Sequence, residues 1–448
     1  MPDRPAEARP LAKLTFRGES RLTIDFEFAL GDIVVDPVTI RAGAATAAWV
    51  KAGAMLNKLV EQARGRLDRA SYLSLAMDEL ENRGITLGQD LMGGNDGWTQ
   101  VQEAFYETRR TLWPVFDRDD VPVVEVETHD SDFPVEILPV FRPPDAAWTT
   151  TINNDADLMA IAERFLGFTA VVRRYTPQRR LEPITLPNDP ALPVQLFRYR
   201  EVRTDGSVPT SGRGSGFARE EAFLASLVPE LSVDGPWPGD ETEEEVRKRV
   251  AEALFDARQR LMAPGITHSA AALAHFACHC EVAGDDEADE VQLSTRQGEL
   301  RSVRKRDIAA GYGKLGRPAG RHDQDRAVVI FNACNTSRID PLSSSSFQQW
   351  FLENRHPAFL GTQAAIPDEI AADFAEQLYG YLLGGYNLGE AVVLARRGLL
   401  LTAKNPLGLL YVLYGNDQIA VQVRRPHLLP REDGPDSRRS TLGTAPVR

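Results

Sequence analysis

Two segments of the sequence consist largely of small or apolar residues and end near a residue with a reactive side chain. Residues 274–281 read AHFACHCE and contain His279, and residues 330–337 read IFNACNTS and contain Cys334. A thiolate is a good nucleophile, but a free thiol is mostly protonated at neutral pH. A neighbouring imidazole can accept or share that proton. The two segments therefore predict nucleophilic catalysis by Cys334, with His279 as its base.

Both segments have the pattern of a buried β-strand, and these strands must position the two side chains. In an open α/β sheet, ligands bind where loops meet at the carboxyl ends of parallel strands. Two adjacent strands would therefore present the imidazole and the thiol to one crevice. A tetrahedral intermediate also needs N–H donors for its oxyanion, and a sharp turn after a strand supplies them from the backbone. The candidate donors are the amides of Cys280 and Cys334.

Short apolar runs alternate with helical patterns through the second half of the chain. The alternation favours a largely parallel sheet that is covered by helices on both faces. The stretch 176–216 has many Pro, Gly and Arg residues and is predicted to be irregular. The predicted strands are residues 271–277, 327–331, 358–361, 411–414 and 419–423, and the predicted helices between them are 346–354, 368–383 and 387–401.

The first half of the chain mixes both kinds of pattern, which indicates an α+β region. No internal repeat is visible in it or in the rest of the sequence. Helices are predicted at 43–67, 70–83, 98–115 and 155–165, and strands at 22–28, 121–126 and 133–140.

The overall composition is that of a globular protein with an acidic balance. The net charge of -13 argues against non-specific binding to nucleic acid and to anionic membranes. The first residues lack the apolar segment of a signal peptide, and no apolar run approaches the roughly 18 residues of a membrane helix. The chain has 3 cysteines, fewer than a secreted disulfide scaffold uses. We therefore expect a cytoplasmic protein with reduced thiols.

The two motifs resemble those of the CHAT family, caspase-like bacterial domains of peptidase clan CD. In that family one strand ends HFACHG and another ends in a small residue, Ala and Cys. Glu220 and Glu221 match an acidic pair that the family has before a helix. Four further segments resemble the family in the same order: FPVEIL at 133–138, GTQAAIPD at 361–368, GEAVVLARRGLL at 389–400 and the closing strand at 406–417.

The resemblance implies an α/β fold of the caspase–hemoglobinase type, with a mainly parallel central sheet flanked by helices and an additional N-terminal α+β region. With it we divide the chain into a pseudo-caspase or sensor region at 13–175 and a CHAT protease domain at 176–424. The composition of the two ends predicts a disordered N-terminus at 1–12 and a disordered tail at 425–448.

The activity that the resemblance implies is that of a regulated bacterial cysteine endopeptidase. Cys334 would be the nucleophile, and His279 the base, for hydrolysis of a specific protein target in defence or cell-death signalling. His275 matches an upstream histidine of the family that is not catalytic, so we expect it to be structural. No metal or organic cofactor is implied. Because the chain has no repeats, its control is expected to come from its N-terminal part, a partner protein or a ligand.

One residue departs from the family pattern. The family has Gly after the catalytic histidine, and here the residue is Cys280. Glycine permits a positive φ and a close approach of substrate, so a side chain at this position predicts a looser oxyanion turn or a narrower pocket. A regulatory disulfide between Cys280 and Cys334 is a further hypothesis. The alternative function is therefore a catalytically weak or inactive caspase-like scaffold that binds a partner protein.

Three polar residues near the motifs are candidates for binding substrate. Asn332 lies two residues before the nucleophile and carries no charge, which argues against a strict preference for basic P1 residues. Asp340 and Asp368 are loop candidates for the S1 pocket. The simpler interpretation of each is a solvated or helix-capping carboxylate, with Asp368 as the cap of a helix that begins at residue 369.

A metal site is the other alternative for the first motif. Zinc favours Cys and His ligands, and His275, Cys278, His279 and Cys280 are all present within it. On a strand, however, the two histidines share one face and the two cysteines share the other. The sequence therefore favours the Cys–His interpretation over a metal site.

Overall fold

The fold is that of a computed structural model, and every structural statement below concerns the part of the chain that it describes. The predicted tails at 1–12 and 425–448 lie outside this part, except for Ala12, which opens the first strand. Cys334 and Asp340 also lie outside it. The described residues are 12–17, 21–25, 44–64, 69–112, 121–128, 135–143, 152–175, 182–186, 188, 191–201, 215–255, 272–281, 290–314, 326–333 and 347–422.

Strands and helices alternate along the described chain. The strands are β1 Ala12–Arg17, β2 Arg21–Asp25, β3 Val123–Thr128, β4 Val171–Tyr175, β5 Ile184–Leu186, β6 Leu192–Arg198, β7 Leu231–Trp237, β8 Leu273–Glu281, β9 Glu290–Ser294, β10 Leu300–Arg304, β11 Val328–Ala333, β12 Ala358–Thr362, β13 Tyr411–Gly415 and β14 Ile419–Val421. The helices are α1 Ala44–Arg64, α2 Arg69–Leu91, α3 Asn95–Leu112, α4 Asp155–Ala162, α5 Leu166–Thr169, α6 Ser215–Ser226, α7 Glu243–Phe255, α8 Lys305–Lys314, α9 Phe347–Glu353, α10 Asp368–Leu383 and α11 Leu388–Ala403. Two 3-10 turns span Val135–Ile137 and Pro406–Leu410.

Six strands form the central sheet in the order β7-β6-β8-β11-β12-β13. The first five are parallel, and β13 is antiparallel at the edge. The carboxyl end of β8 pairs antiparallel with β9, whose Ser294 is bonded to Arg200 just after β6, and β9 in turn pairs with β10. The predicted α/β fold with a mainly parallel central sheet flanked by helices is therefore confirmed.

The two faces of the central sheet have separate cores, because successive residues of a strand point to opposite sides. On one side, called here the α6 face, α6, α10 and α11 cover the sheet and pack on Leu273 and Ala277 of β8. On the other, the α7 face, α7, α8 and α9 cover it and pack on Phe276 and Cys278. Stacked rings cross this second face, with centroids 4.7 Å apart from β6 to β8 and 4.3 Å apart from β8 to β11.

The N-terminal region has a sheet of its own, in the order β2-β1-β3-β4. Its hydrophobic residues nevertheless belong to the same core as the α6 face: Leu56 of α1, Trp98 of α3 and Val124 of β3 are continuous with Leu409. Arg173 of β4 also donates to Asp417 through Nε, at 2.7 Å. The division at residue 175 coincides with the end of β4 and remains a prediction, but the core runs through it.

A buried ion network joins the two regions. The Glu136 carboxylate accepts two hydrogen bonds of 2.6 Å from Arg174 of β4 and lies 3.5 Å from Nη2 of Arg396 in α11. Burial raises the pKa of Glu136, but the charges of the two guanidinium groups outweigh it and hold that pKa below its ordinary value. Burial also lowers the pKa of Arg396 to about 10, although Glu136 opposes this shift.

Two of the sequence predictions in this part of the chain were wrong. The segment predicted as a strand at 133–140 forms a 3-10 turn at Val135–Ile137 instead, and its described residues are buried on all sides. The stretch 176–216, predicted to be irregular, contains β5 and β6, and every residue of β6 is buried between β7 and β8. No helix in the described part of the chain combines the length and the apolar character that crossing a membrane requires.

Candidate active site

The strands that carry the two motifs are direct neighbours. They pair in parallel without a break in register, from Val328 beside Leu273 to Ala333 beside Cys278. Both strands run toward the same edge of the sheet, where the last described residue of β11 is Ala333 and where β8 pairs with β9. This edge is the position at which open α/β sheets bind ligands.

His279 lies at this edge, between two aromatic rings on the α6 face. Its imidazole is half-buried, with its centroid 4.4 Å from that of Tyr199 and 5.2 Å from that of Phe217. Both rings approach the imidazole at steep angles, 62° and 87°. Tyr199 follows β6 and Phe217 belongs to α6, so two elements outside β8 restrict the rotation of the imidazole.

Cys280, which stands where the family has glycine, is an ordinary strand residue. It pairs with Val291 of β9, and its side chain is buried in the core of the α7 face. The non-glycine residues with positive φ in the described chain are Arg355 and Lys404, so the backbone of Cys280 accepts a side chain without strain. Its thiol lies on the face opposite the His279 ring.

A buried carboxylate links the two motif strands on the α6 face. Glu220 of α6 is 0% exposed, and its Oε1 lies 2.5 Å from Nε2 of His275. Asn332 donates from Nδ2 to the same oxygen at 2.6 Å, and to the carbonyl of Ala371 at 2.9 Å. Asn332, predicted to bind substrate, therefore lies in the interior at 2% exposure, with its amide bonded to protein groups.

Two tyrosines complete this network. The hydroxyl of Tyr379 lies 3.1 Å from Nδ1 of His275, and the hydroxyl of Tyr411 donates to Oδ1 of Asn332. Burial, and then the charge of Glu220, raises the pKa of Tyr379 well above its ordinary value. Tyr379 therefore keeps its proton, and its hydroxyl is able to donate to Nδ1. In the tautomer that matches this direction, Nε2–H of His275 donates to Glu220.

Asp368, the other described substrate candidate, holds the start of α6. It is the first residue of α10, and its Oδ2 accepts a hydrogen bond of 2.8 Å from the backbone N–H of Gly216. The prediction that Asp368 caps a helix beginning at 369 was wrong, because that helix begins at Asp368 after Pro367 and the carboxylate caps α6 instead.

Gly216 sets how closely α6 approaches α10. A Cβ at this position would lie 2.1 Å from the carbonyl oxygen of Asp368, so only glycine fits. We expect Gly216→Ala to lower the free energy of unfolding by about 1–3 kcal/mol, as overpacking does. Urea unfolding measures it. Gly53→Ala in α1 is the matched control, because nothing lies within 4 Å of its Cβ and alanine favours a helix by about 1 kcal/mol. Equal stability of the two variants would contradict the contact.

A metal site at the first motif gains no support from the described residues. They include no group of three or more His, Cys, Asp or Glu side chains that could hold an ion. Cys278 and Cys280 lie on the α7 face, whereas His275 and His279 contact residues of the α6 face.

Comparison with protein families places the two motifs in one domain. The sequence model of the CHAT domain family matches residues 216–424, which include α6, both motif strands and α10. Residues 216–424 form a CHAT domain. The match to the CHAT domain begins after β6, so the central strand beside β8 and the Tyr199 ring lie outside it.

The solved structures that the comparison found share little sequence with this protein. A chain of the Saccharomyces cerevisiae separase–securin complex is 11% identical with a TM-score of 0.38, covering 86% of this chain and 23% of that chain. The complex of Porphyromonas gingivalis RgpB pro- and mature domains is 9% identical with a TM-score of 0.38, covering 72% of this chain and 70% of that one. This protein thus spans under a quarter of the separase-complex chain. No curated protein matches its sequence.

Sequence reasoning missed the aromatic and hydroxyl partners around the CHAT domain motifs. Tyr199 and Phe217 are separated from His279 by long stretches of chain, and no spacing rule connects them. Tyr379 and Tyr411 lie in segments that were assigned only to a helix and a strand. A signal was present for Glu220, since it was matched to the acidic pair of the family, but its partners follow only from the packing of α6 on the sheet.

Proposed function

We propose that the CHAT domain is a cysteine endopeptidase in which Cys334 is the nucleophile and His279 the base. The observation that carries this proposal is the register of β8 and β11. Its last described pair is Ala333 with Cys278, and these two residues immediately precede Cys334 and His279 in the sequence. Neighbouring strands lie about 4.8 Å apart, so a register that continued by one residue would bring the thiol beside the imidazole.

The proposed reaction follows from these two side chains. The imidazole of His279 takes the thiol proton, and the sulfur of Cys334 attacks the carbonyl carbon of the scissile peptide. The backbone amides of Cys280 and Cys334 donate to the oxyanion of the tetrahedral intermediate. The imidazolium then gives its proton to the leaving amine, and a thioester remains. Water, deprotonated by His279, hydrolyses the thioester and frees the thiol.

The rings of Tyr199 and Phe217 support this assignment for His279. They meet the imidazole at steep angles on the edge of the sheet, which limits its rotation. A base held in one orientation loses less entropy when it meets the thiol, and proximity of this kind is a large part of enzymatic rate enhancement.

Two of the three candidates for binding substrate have structural roles instead. Asn332 is bonded inside the fold and Asp368 is bonded to α6, so we assign both to positioning and leave Asp340 as the candidate for the S1 pocket. We further propose a protein substrate, an activating partner protein or ligand, a cytoplasmic location and a role in bacterial defence or cell-death signalling, and no partnership with nucleic acid or membrane.

The second candidate function is a catalytically weak or inactive scaffold that binds a partner protein. Cys280 is the observation that favours it, because the side chain replaces the family glycine beside the base. The strand conformation of Cys280 argues for the peptidase instead, since its side chain turns to the α7 face and leaves the His279 side open.

Labelling of Cys334 by peptidyl acyloxymethyl ketones with varied P1 side chains tests the peptidase. Intact mass and peptide mapping are read for the wild type, Cys334→Ala and His279→Ala, with Cys280→Gly as the matched variant that restores the family residue. We expect one adduct, at Cys334, whose rate of formation falls about 10²- to 10⁴-fold in His279→Ala because general-base catalysis is lost. Labelling at Cys278 or Cys280, or an equal rate in His279→Ala, would contradict the dyad.

Alkylation by iodoacetamide separates the peptidase from the scaffold when no ketone is accepted. A Cys334 thiol activated by His279 reacts as a thiolate well below the ordinary thiol pKa of about 8.5, and loses this reactivity in His279→Ala. In an inactive scaffold, the alkylation rate of Cys334 has the pH dependence of an ordinary thiol in the wild type and in His279→Ala alike. The ketone that reacts fastest also identifies the P1 residue, which the sequence does not specify.

A further inference from the structure

We propose that Glu220, with His275 and Asn332, is a positioning cluster that fixes the ends of β8 and β11 relative to each other, and so sets the spacing of His279 and Cys334. The proposal rests on the proposed function for its effect on reactivity. Its structural part, the fixing of the two strands by α6, stands on contacts among described residues alone.

One oxygen atom of Glu220 joins three elements. Its Oε1, in α6, lies 2.5 Å from Nε2 of His275 in β8 and accepts a hydrogen bond of 2.6 Å from Nδ2 of Asn332 in β11. All three residues are at most 2% exposed, so water does not replace these bonds. Hydrogen bonds to an ionised group are short and about twice as strong as neutral ones. A relative shift of the two strands would break one of the two bonds.

The cluster lies away from the base along the strand. Asn332 lies two residues before Cys334 in the sequence, and His275 lies four residues before His279. At about 3.3 Å per residue of strand, His275 is about 13 Å from His279, so the cluster does not contact the base. Glu220, His275 and Asn332 are therefore positioning residues rather than catalytic ones.

A buried carboxylate lowers the stability of a fold unless hydrogen bonds compensate its loss of water. Oε2 of Glu220 is buried and accepts no hydrogen bond, so the residue carries an unsatisfied oxygen that an apolar side chain would avoid. Tyr379 and Tyr411 extend the cluster by holding Nδ1 of His275 and Oδ1 of Asn332. The cluster therefore orients both partners of Glu220 as well as Glu220 itself, which is more than packing requires.

Two readouts test the cluster in the full chain. Peptide-level hydrogen exchange of 273–281 and 328–333 reports how firmly the strands are held, and the alkylation rate of Cys334 by iodoacetamide reports the dyad. The variants are Glu220→Ala and Glu220→Gln, which keeps the shape and Oε1 but removes the charge. Arg219→Gln is the matched control, because the neighbouring Arg219 faces outward from the same helix and pairs with Glu376 of α10.

We expect Glu220→Ala to accelerate exchange in both strands and to lower the alkylation rate about 10- to 100-fold, as a misplacement of about 1 Å does. Glu220→Gln should fall between it and the wild type. In a His279→Ala background neither change should lower the rate further, because the effect acts through the base. Arg219→Gln should leave the rate within about twofold, as surface substitutions do.

Substitution of the histidine distinguishes positioning from general stability. His275→Gln keeps an amide donor for Glu220, so we expect it to retain more of the alkylation rate than His275→Ala at equal melting temperature. Should Glu220→Ala not fold, Glu220→Gln and the two His275 variants carry the test. Wild-type exchange and an unchanged rate in folded Glu220→Gln and His275→Ala would overturn the cluster.

The same data separate the cluster from the proposed function. If the alkylation rate of Cys334 is the same in the wild type and in His279→Ala, the dyad is overturned. Hydrogen exchange in β8 and β11 then still tests whether the cluster fixes the two strands. A rate that depends on His279, with exchange in both strands unaffected by the Glu220 variants, overturns the cluster and leaves the dyad standing.

Discussion

Expression of residues 216–424 alone is expected to give aggregated protein rather than a folded domain, although this is the span that matches the CHAT family. The span lacks β6, whose seven residues are all buried between β7 and β8. Without it, β7 and β8 each present an unpaired edge, and such edges pair with other chains. Loss of the N-terminal part of the shared core would expose a large apolar surface as well.

A cut chain provides the matched control. Co-expression of residues 1–201 with residues 202–448 supplies β6 in trans, so we expect the two pieces to copurify and to show the circular dichroism of the intact protein. Gel filtration and circular dichroism of 216–424 and of the paired pieces make the comparison. Soluble, monodisperse 216–424 with a cooperative unfolding transition would show that β6 is dispensable, contrary to the pairing of β8.

Substitution of Glu136 by alanine is expected to lower the free energy of unfolding by about 3–5 kcal/mol, because it removes the carboxylate that compensates two buried positive charges. Arg174 and Arg396 are each 2% exposed, and each forms an ion pair with this carboxylate. Urea unfolding at neutral pH measures the change. Glu125→Ala is the control: it removes a partly exposed partner of Arg173, which keeps its bonds to Asp417, so a loss of about 1 kcal/mol or less is expected.

The same network predicts a dependence of stability on pH. The pKa of Glu136 in the folded protein lies below its ordinary value of 4.5, so its contribution to stability is fully present above pH 4.5 and is lost as the pH falls through the folded pKa. The difference in stability between the wild type and Glu136→Gln should therefore be constant near neutral pH and shrink in acid. A loss below about 1 kcal/mol for Glu136→Ala, or a difference that grows in acid, would argue against a charged network.

The sequence predicted best those elements whose boundaries are set locally. The apolar residues of α10 recur at helical spacing and predict its range of 368–383 correctly, although the helix start at 369 that made Asp368 its cap was wrong by one residue. The strands β8 and β11 were also expected, since short apolar runs bounded by polar residues are typical of buried parallel strands.

The elements that were missed depend on contacts between distant parts of the chain. β6 is a short run with a proline in it, and its strand conformation is stabilised by pairing with β7 and β8 on both sides. The segment around Glu136 is apolar and buried, but continuous burial does not distinguish a strand from a 3-10 turn. The carboxylate of Glu220 meets His275 and Asn332 only because α6 packs on the sheet, which no local pattern encodes.

The distribution of the thiols over the two faces of β8 has a practical use. Of the three thiols in the chain, Cys278 is 1% exposed and Cys280 is 7% exposed, both in the core of the α7 face. A spectroscopic label applied to the native protein is therefore kept off Cys278 and Cys280 without removal of either cysteine. Unfolding releases these two, so the number of labels per chain also serves as a gauge of folding.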